Sequence, residues 1–473
     1  MKKSLFKPAI AAASLRLLLS ASALCLLSAC VSFQDIQSQA QLKALAPQAG
    51  VFPDQGGNAA WPDLQWATSI GGAELQALVN RALENHPSLQ AAAARLQAAQ
   101  AATAAVEANK LPSYELDFWG KHSAEMRGAL SQEKVTEAEA QSVRLMLSNA
   151  IARAWLQLAR QNAQLELSKQ QLAVREQFDR LTQQRVSAGL DTKVEVQQNL
   201  VQLSGLKNEL AQWQEAMALT RNQIAALQGL GPEEGKLIAT PKFQPVADTA
   251  LPGNLPLELL GRRPDIVSAR WRVEAGQSDV DVAKTQFYPN INIVGFVGLS
   301  SLGLSNLANS GSSIIGAGPA IRLPIFEGGR LRAQLKGKVA AYDVAVATYN
   351  QSLTDALREV ADQVQILQAS QSQLIEQQAA EQAARIGLQL AQQRQKAGTA
   401  NKLPVLAAES VVLSQQKLSL ELAVRHTEAR INLIKALGGG YESKALPATN
   451  STAASTSKNI IPSLVKNTPE AAL

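Results

Sequence analysis

Leu75, Leu78, Val79 and Leu83 recur at the spacing of one helix face, and this rhythm of 3.6 residues governs most of the 473-residue chain. It predicts helix from Glu74 to Asn109, interrupted at "HPSLQ" (86–90), where Pro87 ends one hydrogen-bond ladder or begins the next. Two much longer tracts follow, near 120–188 and 190–229, and a second pair runs near 330–397 and 401–437. At ~1.5 Å per residue, a tract of about 70 residues spans on the order of 100 Å. No globular core needs helices of that length, so they must pack lengthwise on one another in coiled-coil fashion. The breaks "RVSAGLDT" (185–192) and "RQKAGTAN" (394–401) share an R-x-x-A-G pattern. Gly189 and Gly398 suit the left-handed conformation that closes a helix. Asp191 or Thr192, and Asn401, are candidate caps for the helix that follows, and Pro404 falls in its first turn. Each pair therefore predicts a helix hairpin with a tight tip.

A two-residue rhythm replaces the helical one in "NINIVGFVGLS" (290–300) and "SSIIGAGPAIRLPIF" (312–326), which flank a Gly/Ser/Asn-rich turn. In the second segment Ile315, Ala317, Ile321, Leu323 and Ile325 share one face, and Ser312, Gly316, Gly318, Ala320 and Arg322 the other. The alternation runs long enough to cross lipid, which takes about 9–11 residues per strand, and fits a membrane hairpin with a polar lumen side. An ordinary soluble hairpin has the same alternation.

The two halves of the chain align by position. Gly189 and Gly398 lie 209 residues apart, as do Gly229 and Gly438, and Phe118 and Gly120 match Phe326 and Gly328 at 208. Upstream the offset falls to 177, between Pro87 and Pro264 and between Pro112 and Pro289. The 31 missing residues fall where the second half carries its hairpin. The first half is thus a shortened copy that keeps at most a remnant strand, "SYELDFW" (113–119).

Composition agrees with long helices: aromatics are 4% of the chain. The N-terminus changes the picture more. Lys2, Lys3, Lys7 and Arg16 precede the apolar run "LRLLLSASALCLLSAC", too short for an ordinary spanning helix of about 20 residues. "LSAC" resembles the lipobox of bacterial lipoproteins, with Cys30 as the acylated residue. A plain secretory signal cut near Ala29 is the alternative. Val31 in place of Asp resembles the sorting pattern that favours the outer membrane. Removing residues 1–29 leaves 41 basic against 39 acidic side chains, so nothing argues for a nucleic-acid partner. Cys25 and Cys30 are the two cysteines, and neither would leave a free thiol. His86, His122 and His426 are scattered, and "GLGPEEGK" (229–236) departs from a phosphate loop at Leu230 and Leu237. No enzyme, metal or cofactor is expected.

In order along the chain, "WPDLQW" (61–66), "YELDFWGK" (114–121), "RRPDI" (262–266), "AKTQFYPNINI" (283–293), "GPAIRLPIFEGGRLRAQL" (318–335) and "KALGGG" (435–440) resemble the TolC-like outer membrane efflux proteins. The lipobox places the chain closest to their NodT-type lipoprotein branch. The resemblance implies a mainly α fold with a membrane β-barrel portion. A homotrimer would share one β-barrel and one long α-helical periplasmic tunnel, built on two internal repeats of which the first here lacks most of its β-hairpin. It divides the chain into a signal peptide (1–29), a lipidated linker (30–72), a first repeat (73–230), an inter-repeat linker (231–261), a second repeat (262–440) and a disordered tail (441–473). The implied role is a passive outer-membrane exit duct, lipid-anchored and extending into the periplasm, for an inner-membrane efflux pump reached through a periplasmic membrane fusion (adaptor) protein. "FYPNINIVGFVGLSSLGLSNL" is similar to branches associated with export of aromatic acids and dyes.

By the same resemblance, Ala188, Gly189 and Leu190 in the first tip and Ala397, Gly398 and Thr399 in the second contact the adaptor. Family members that close their aperture with aspartates carry them just after the second tip, where this chain has Pro404 and Ala407. Asp191, Glu195 and Glu409 remain as carboxylates that line the mouth, or serve as helix-end partners. "RRPDI" and "GGR" (328–330) read as architecture. Two strands from each of three protomers make six, whereas eight already fill a barrel interior with side chains. Two readings therefore stand: an exit duct with an atypical pore, or a truncated, non-conducting, lipid-anchored helical protein that keeps adaptor binding.

Overall fold

The computed structural model describes residues 33–43, 61–108, 117–246, 261–299, 313–324 and 327–443. The signal, Cys30, residues 113–116 of the remnant strand, linker residues 247–260, the hairpin turn 300–312, Ile325, Phe326 and the tail beyond Ser443 lie outside the described residues. In chain order the elements are α1 (Trp66–Asn85), α2 (Pro87–Ala108), α3 (Lys121–Ser187), α4 (Lys193–Leu227), the single turn α5 (Pro232–Gly235) and α6 (Pro264–Thr285). Strands β1 (Asn290–Leu299) and β2 (Ser313–Arg322) follow, then α7 (Arg330–Lys396) and α8 (Leu403–Ala436).

Helix α1 begins eight residues before Glu74 because Trp66, Ala67 and Ile70 are drawn into a core with Leu75, Val79, Ile151, Trp155 and Ile431. Gly71 and Gly72 kink it, and a Cβ on Gly71 would meet the Trp155 ring at 2.9 Å. His86 is extended, as a residue before proline prefers, and Pro87 opens α2. The long helices α3 and α7 are each 67 residues, and α2 and α6 are each 22. At ~1.5 Å per residue, α3 and α7 each run on the order of 100 Å.

The helices form a layer. In the half nearer the tips the packing order is α4, α3, α8, α7; in the other half it is α2, α3, α6, α7. Apolar seams hold each contact: Leu158, Leu165, Met217 and Ile224 between α3 and α4, Val174, Leu406 and Leu413 between α3 and α8, and Val346, Leu353, Ile266 and Val273 between α7 and α6. Polar ties fix their register. Glu209 on α4 accepts from Ser168 Oγ of α3 at 2.8 Å and from Lys417 Nζ of α8 at 2.7 Å. Burial pushes the Glu209 carboxyl up, and the hydrogen bonds from Lys417, Ser168 and Trp213 outweigh it, holding it below the ordinary glutamate value.

"RRPDI" is architecture, as its residues imply. Arg263 is buried. It donates to Glu359 at 2.8 Å, to the Ala436 carbonyl at 3.0 Å and to both oxygens of Asp265. Lys435 reaches the other oxygen of Glu359 at 2.9 Å. Burial raises the Glu359 carboxyl, and its two cationic partners more than reverse that. Residues 33–43 run along α7: Asp35 pairs with Arg332, Ser38 bonds Asp343, and Asn350 exchanges hydrogen bonds with the backbone of Gln41 and Lys43.

Candidate functional site: a membrane hairpin and two helix tips

Strands β1 and β2 pair antiparallel over ten residues, from Asn290 with Arg322 to Leu299 with Ser313. Directly opposed residues share a face. Ile291/Ile321, Ile293/Pro319, Gly295/Ala317 and Val297/Ile315 form one side. Asn290/Arg322, Asn292/Ala320 and Gly298/Ile314 lie on the other. On the first side Val297 is 82% exposed, Ile315 78% and Ile321 68%. A soluble hairpin would bury that face, whereas lipid solvates it. The predicted second strand extended to Phe326, but pairing stops at Arg322, two residues before Pro324, which has no amide hydrogen to continue a ladder.

Aromatic rings gather at the base of the hairpin. Trp119 stacks on Tyr288 with centroids 4.6 Å apart, and its Nε1 donates to the Pro289 carbonyl at 2.8 Å. Phe33 lies 4.7 Å from Phe287 and 6.2 Å from Tyr288. Trp119 and Tyr288, both exposed, have the amphipathic rings found in the aromatic girdle at a membrane–water interface, while Phe287 is buried beneath them. Of the remnant strand, the described residues Asp117, Phe118 and Trp119 form a turn docked against this base. Phe33, which packs against this base, stands three residues after Cys30 in the sequence.

At the opposite end the two tips close alike. Gly189 has φ 71° and Gly398 φ 72°, which any other residue adopts only with strain. In the first, Gly189 N–H bonds the Val186 carbonyl and Leu190 N–H the Arg185 carbonyl; in the second, Gly398 bonds Gln395 and Thr399 bonds Arg394. These are the paired bonds of a Schellman closure. All six residues Ala188, Gly189, Leu190, Ala397, Gly398 and Thr399 sit in these turns and are solvent-exposed or nearly so.

The side chains around the two turns differ. Arg185 grips Asp191 with two hydrogen bonds, 2.7 and 2.9 Å, and this holds the Asp191 carboxyl below the usual range. Thr192 is the cap of α4, with Glu195 completing a capping box back to the Thr192 N–H at 3.0 Å. At the second tip Asn401 Oδ1 accepts from Leu403 N–H at 3.1 Å, and Pro404 sits in the first turn of α8. Glu409 lies half-buried further along α8. Thus the structure brings Asp191 and Glu195 together with local partners at one tip and keeps Glu409 on the other hairpin. The sequence reading passed over Arg394, Lys396 and Lys402, exposed around the second tip. The signal was present, since no Asp or Glu occurs between Glu381 and Glu409.

Among the described residues no helix is long and apolar enough to cross a membrane, and no cluster of metal-ligating side chains occurs. The sequence profile of the outer membrane efflux protein family matches residues 113–230 and 255–439. The fusaric acid resistance protein FusA of Burkholderia cepacia is 32% identical over 357 residues, 66% of each chain. The multidrug resistance outer membrane protein MdtP of Escherichia coli O6:H1 is 32% identical over 331 residues, 69% of this chain and 67% of its own. The chain thus spans about two thirds of the length of these two relatives. The crystal structure of the outer membrane protein VceC from Vibrio cholerae superposes with a TM-score of 0.72 at 35% identity, covering 81% of this chain and 100% of that one. With the profile matching well over half of its length, the chain belongs to the outer membrane efflux protein family.

Proposed function

We propose that the protein is the outer-membrane exit duct of a tripartite efflux system for small organic solutes. The observation that carries this reading is the pairing of a hairpin that exposes an apolar face with helices of 67 residues that lead away from it. A passage of that length crosses the periplasm, and the family is one of channel proteins, which favours a duct over the non-conducting alternative. FusA and MdtP are named for resistance to fusaric acid and to multiple drugs, and small organic solutes are the class these names share. Transport energy comes from the inner-membrane pump, and the duct is passive. The tips Ala188–Leu190 and Ala397–Thr399 present backbone and small side chains to the adaptor. Acylated Cys30 anchors the chain to the membrane, three residues before Phe33 in the sequence.

Assembly is a homotrimeric ring. The layer ends in α4 on one edge and α7 on the other, and both edges carry exposed apolar side chains. Leu200 and Val201 stand seven and eight residues from the start of α4, and Leu390 and Ile386 six and ten from the end of α7, so they lie at similar heights above the tips. Joining edge to edge is a head-to-tail contact, and such a contact closes into a ring of three when each step turns by about 120°. Three copies contribute six strands through β1 and β2. Only eight residues separate Ala108 from Asp117, fewer than the about 9–11 that one crossing takes, so the exit through the membrane is narrow. Val201→Cys with Ile386→Cys tests the ring. Oxidation is expected to give covalent dimers and trimers only when both cysteines are present; monomer alone after oxidation of the double variant would sink the assembly.

A further inference from the structure

The two tips close with the same backbone bonds and carry different charge. Around the first, Asp179, Arg180, Arg185, Asp191, Lys193 and Glu195 balance at three against three. The acids there are also engaged: Asp191 by Arg185, Glu195 by the cap at Thr192, and Asp179 by Gln183 at 2.7 Å. Around the second, Arg394, Lys396 and Lys402 are exposed and form no salt bridge with the described residues, against the single carboxylate Glu409. Each protomer therefore brings a neutral first tip and a second tip of net +2.

Helix stability accounts for part of this and fails for the rest. Arg394 and Lys396 occupy the last turn of α7, where cations complement the helix dipole. Lys402 directly precedes α8, at the positive end of that helix, where the dipole favours an acid, and the first turn of α8 holds no acidic residue. At the equivalent place, 209 residues earlier, the first hairpin also has a lysine, Lys193, but follows it with Glu195 where the second has Pro404. With no acid in that turn to offset it, the Lys402 charge is left for something outside the helix, whereas Glu195 offsets Lys193.

We infer that the periplasmic mouth of the duct selects anionic solutes, through rings of Arg394, Lys396 and Lys402. The inference rests on the duct reading, since it needs three copies around one passage. Three protomers place nine cations around an aperture against three Glu409 carboxylates. A constriction between low-dielectric walls focuses such a field, and rings of Arg and Lys are the usual chemistry of anion pores. At physiological salt the field reaches about 8 Å, enough to act on a solute in a narrow mouth. The solute class is a small organic or inorganic anion, such as a carboxylate.

The test is reversal potential across a potassium chloride gradient, with full-length trimeric protein in planar bilayers. Wild type is expected to pass chloride at least about threefold better than potassium. R394Q/K396Q/K402Q should bring that ratio to about one or below while conducting steps persist. D191N, which releases Arg185 from its partner, should raise it. Cation preference in the wild type, or a triple variant with unchanged selectivity, overturns the inference and leaves the duct standing. Silent membranes with all three proteins overturn the duct reading and this inference with it.

Discussion

At the membrane end, the first half of the chain joins α2 to α3 through residues 109–120, while the second joins α6 to α7 through residues 286–329. The helices on either side are nevertheless equal, 22 residues and then 67 in both halves. A hairpin leaves the helical layer and returns to it, so its loss shortens the connection without reversing any helix. The difference teaches that the helical body is indifferent to its membrane insert. The two entry helices also differ in cover. Helix α6 buries Ile266, Val267, Ala269 and Val273 between α3 and α7, whereas the buried residues of α2 are Ala92 and Thr103. Helix α2 is an edge waiting for a neighbour, and α6 is interior.

The comparison is broken most severely by exchanging the connections. Replacing residues 286–329 with the short connection 109–120 should abolish conductance and outer-membrane insertion while circular dichroism keeps the helical signal. Grafting the long connection into the first half should instead raise single-channel conductance several-fold, because twelve strands enclose a wider passage than six. A smaller effect separates α6 from α2. Ile266→Ala should cost about 2–5 kcal/mol in chemical denaturation, as fully buried aliphatic truncations do. Ala92→Gly on α2 should cost about 1 kcal/mol from helix propensity in the monomer, and more in the trimer if a neighbour covers it. At the tips, Gly189→Ala and Gly398→Ala should each cost about 1–2 kcal/mol and by similar amounts, because the two φ angles agree within a degree. Unequal costs would show that the second tip relaxes its strain elsewhere.

The smallest effect is in acid. Glu209 and Glu359 have carboxyls held below their ordinary value of 4.5 in the folded protein. Their stabilising contribution is therefore present above that value and lost as pH falls through the lowered one. The thermal midpoint should fall by a few degrees between about pH 5 and pH 3, and E359Q should flatten part of that slope.

The long helices were legible within a few residues because their ends carry chemical marks: Gly189, Gly398, Thr192 and Asn401 each meet a need of a helix terminus. The paired strands were legible because a hairpin whose two faces meet different surroundings must alternate. Less legible was the start of α1, where Trp66 and Ile70 are recruited by Trp155 and Ile431, residues far away in sequence. The fate of Asp191 was equally hidden. It was a candidate cap and a candidate mouth carboxylate, and Arg185, six positions earlier, holds it across the turn. The cations of the second tip were visible as residues, but their meaning came from a comparison of the two turns in space.

Helices α3 and α7, each 67 residues, are also levers. A stiff rod on the order of 100 Å long that tilts by about 5° at its base moves its far end by roughly 9 Å. Displacement on that scale is comparable to the diameter of a helix. A small lean of the rods would therefore carry the tips far, with every backbone hydrogen bond kept and the capped turns moved intact.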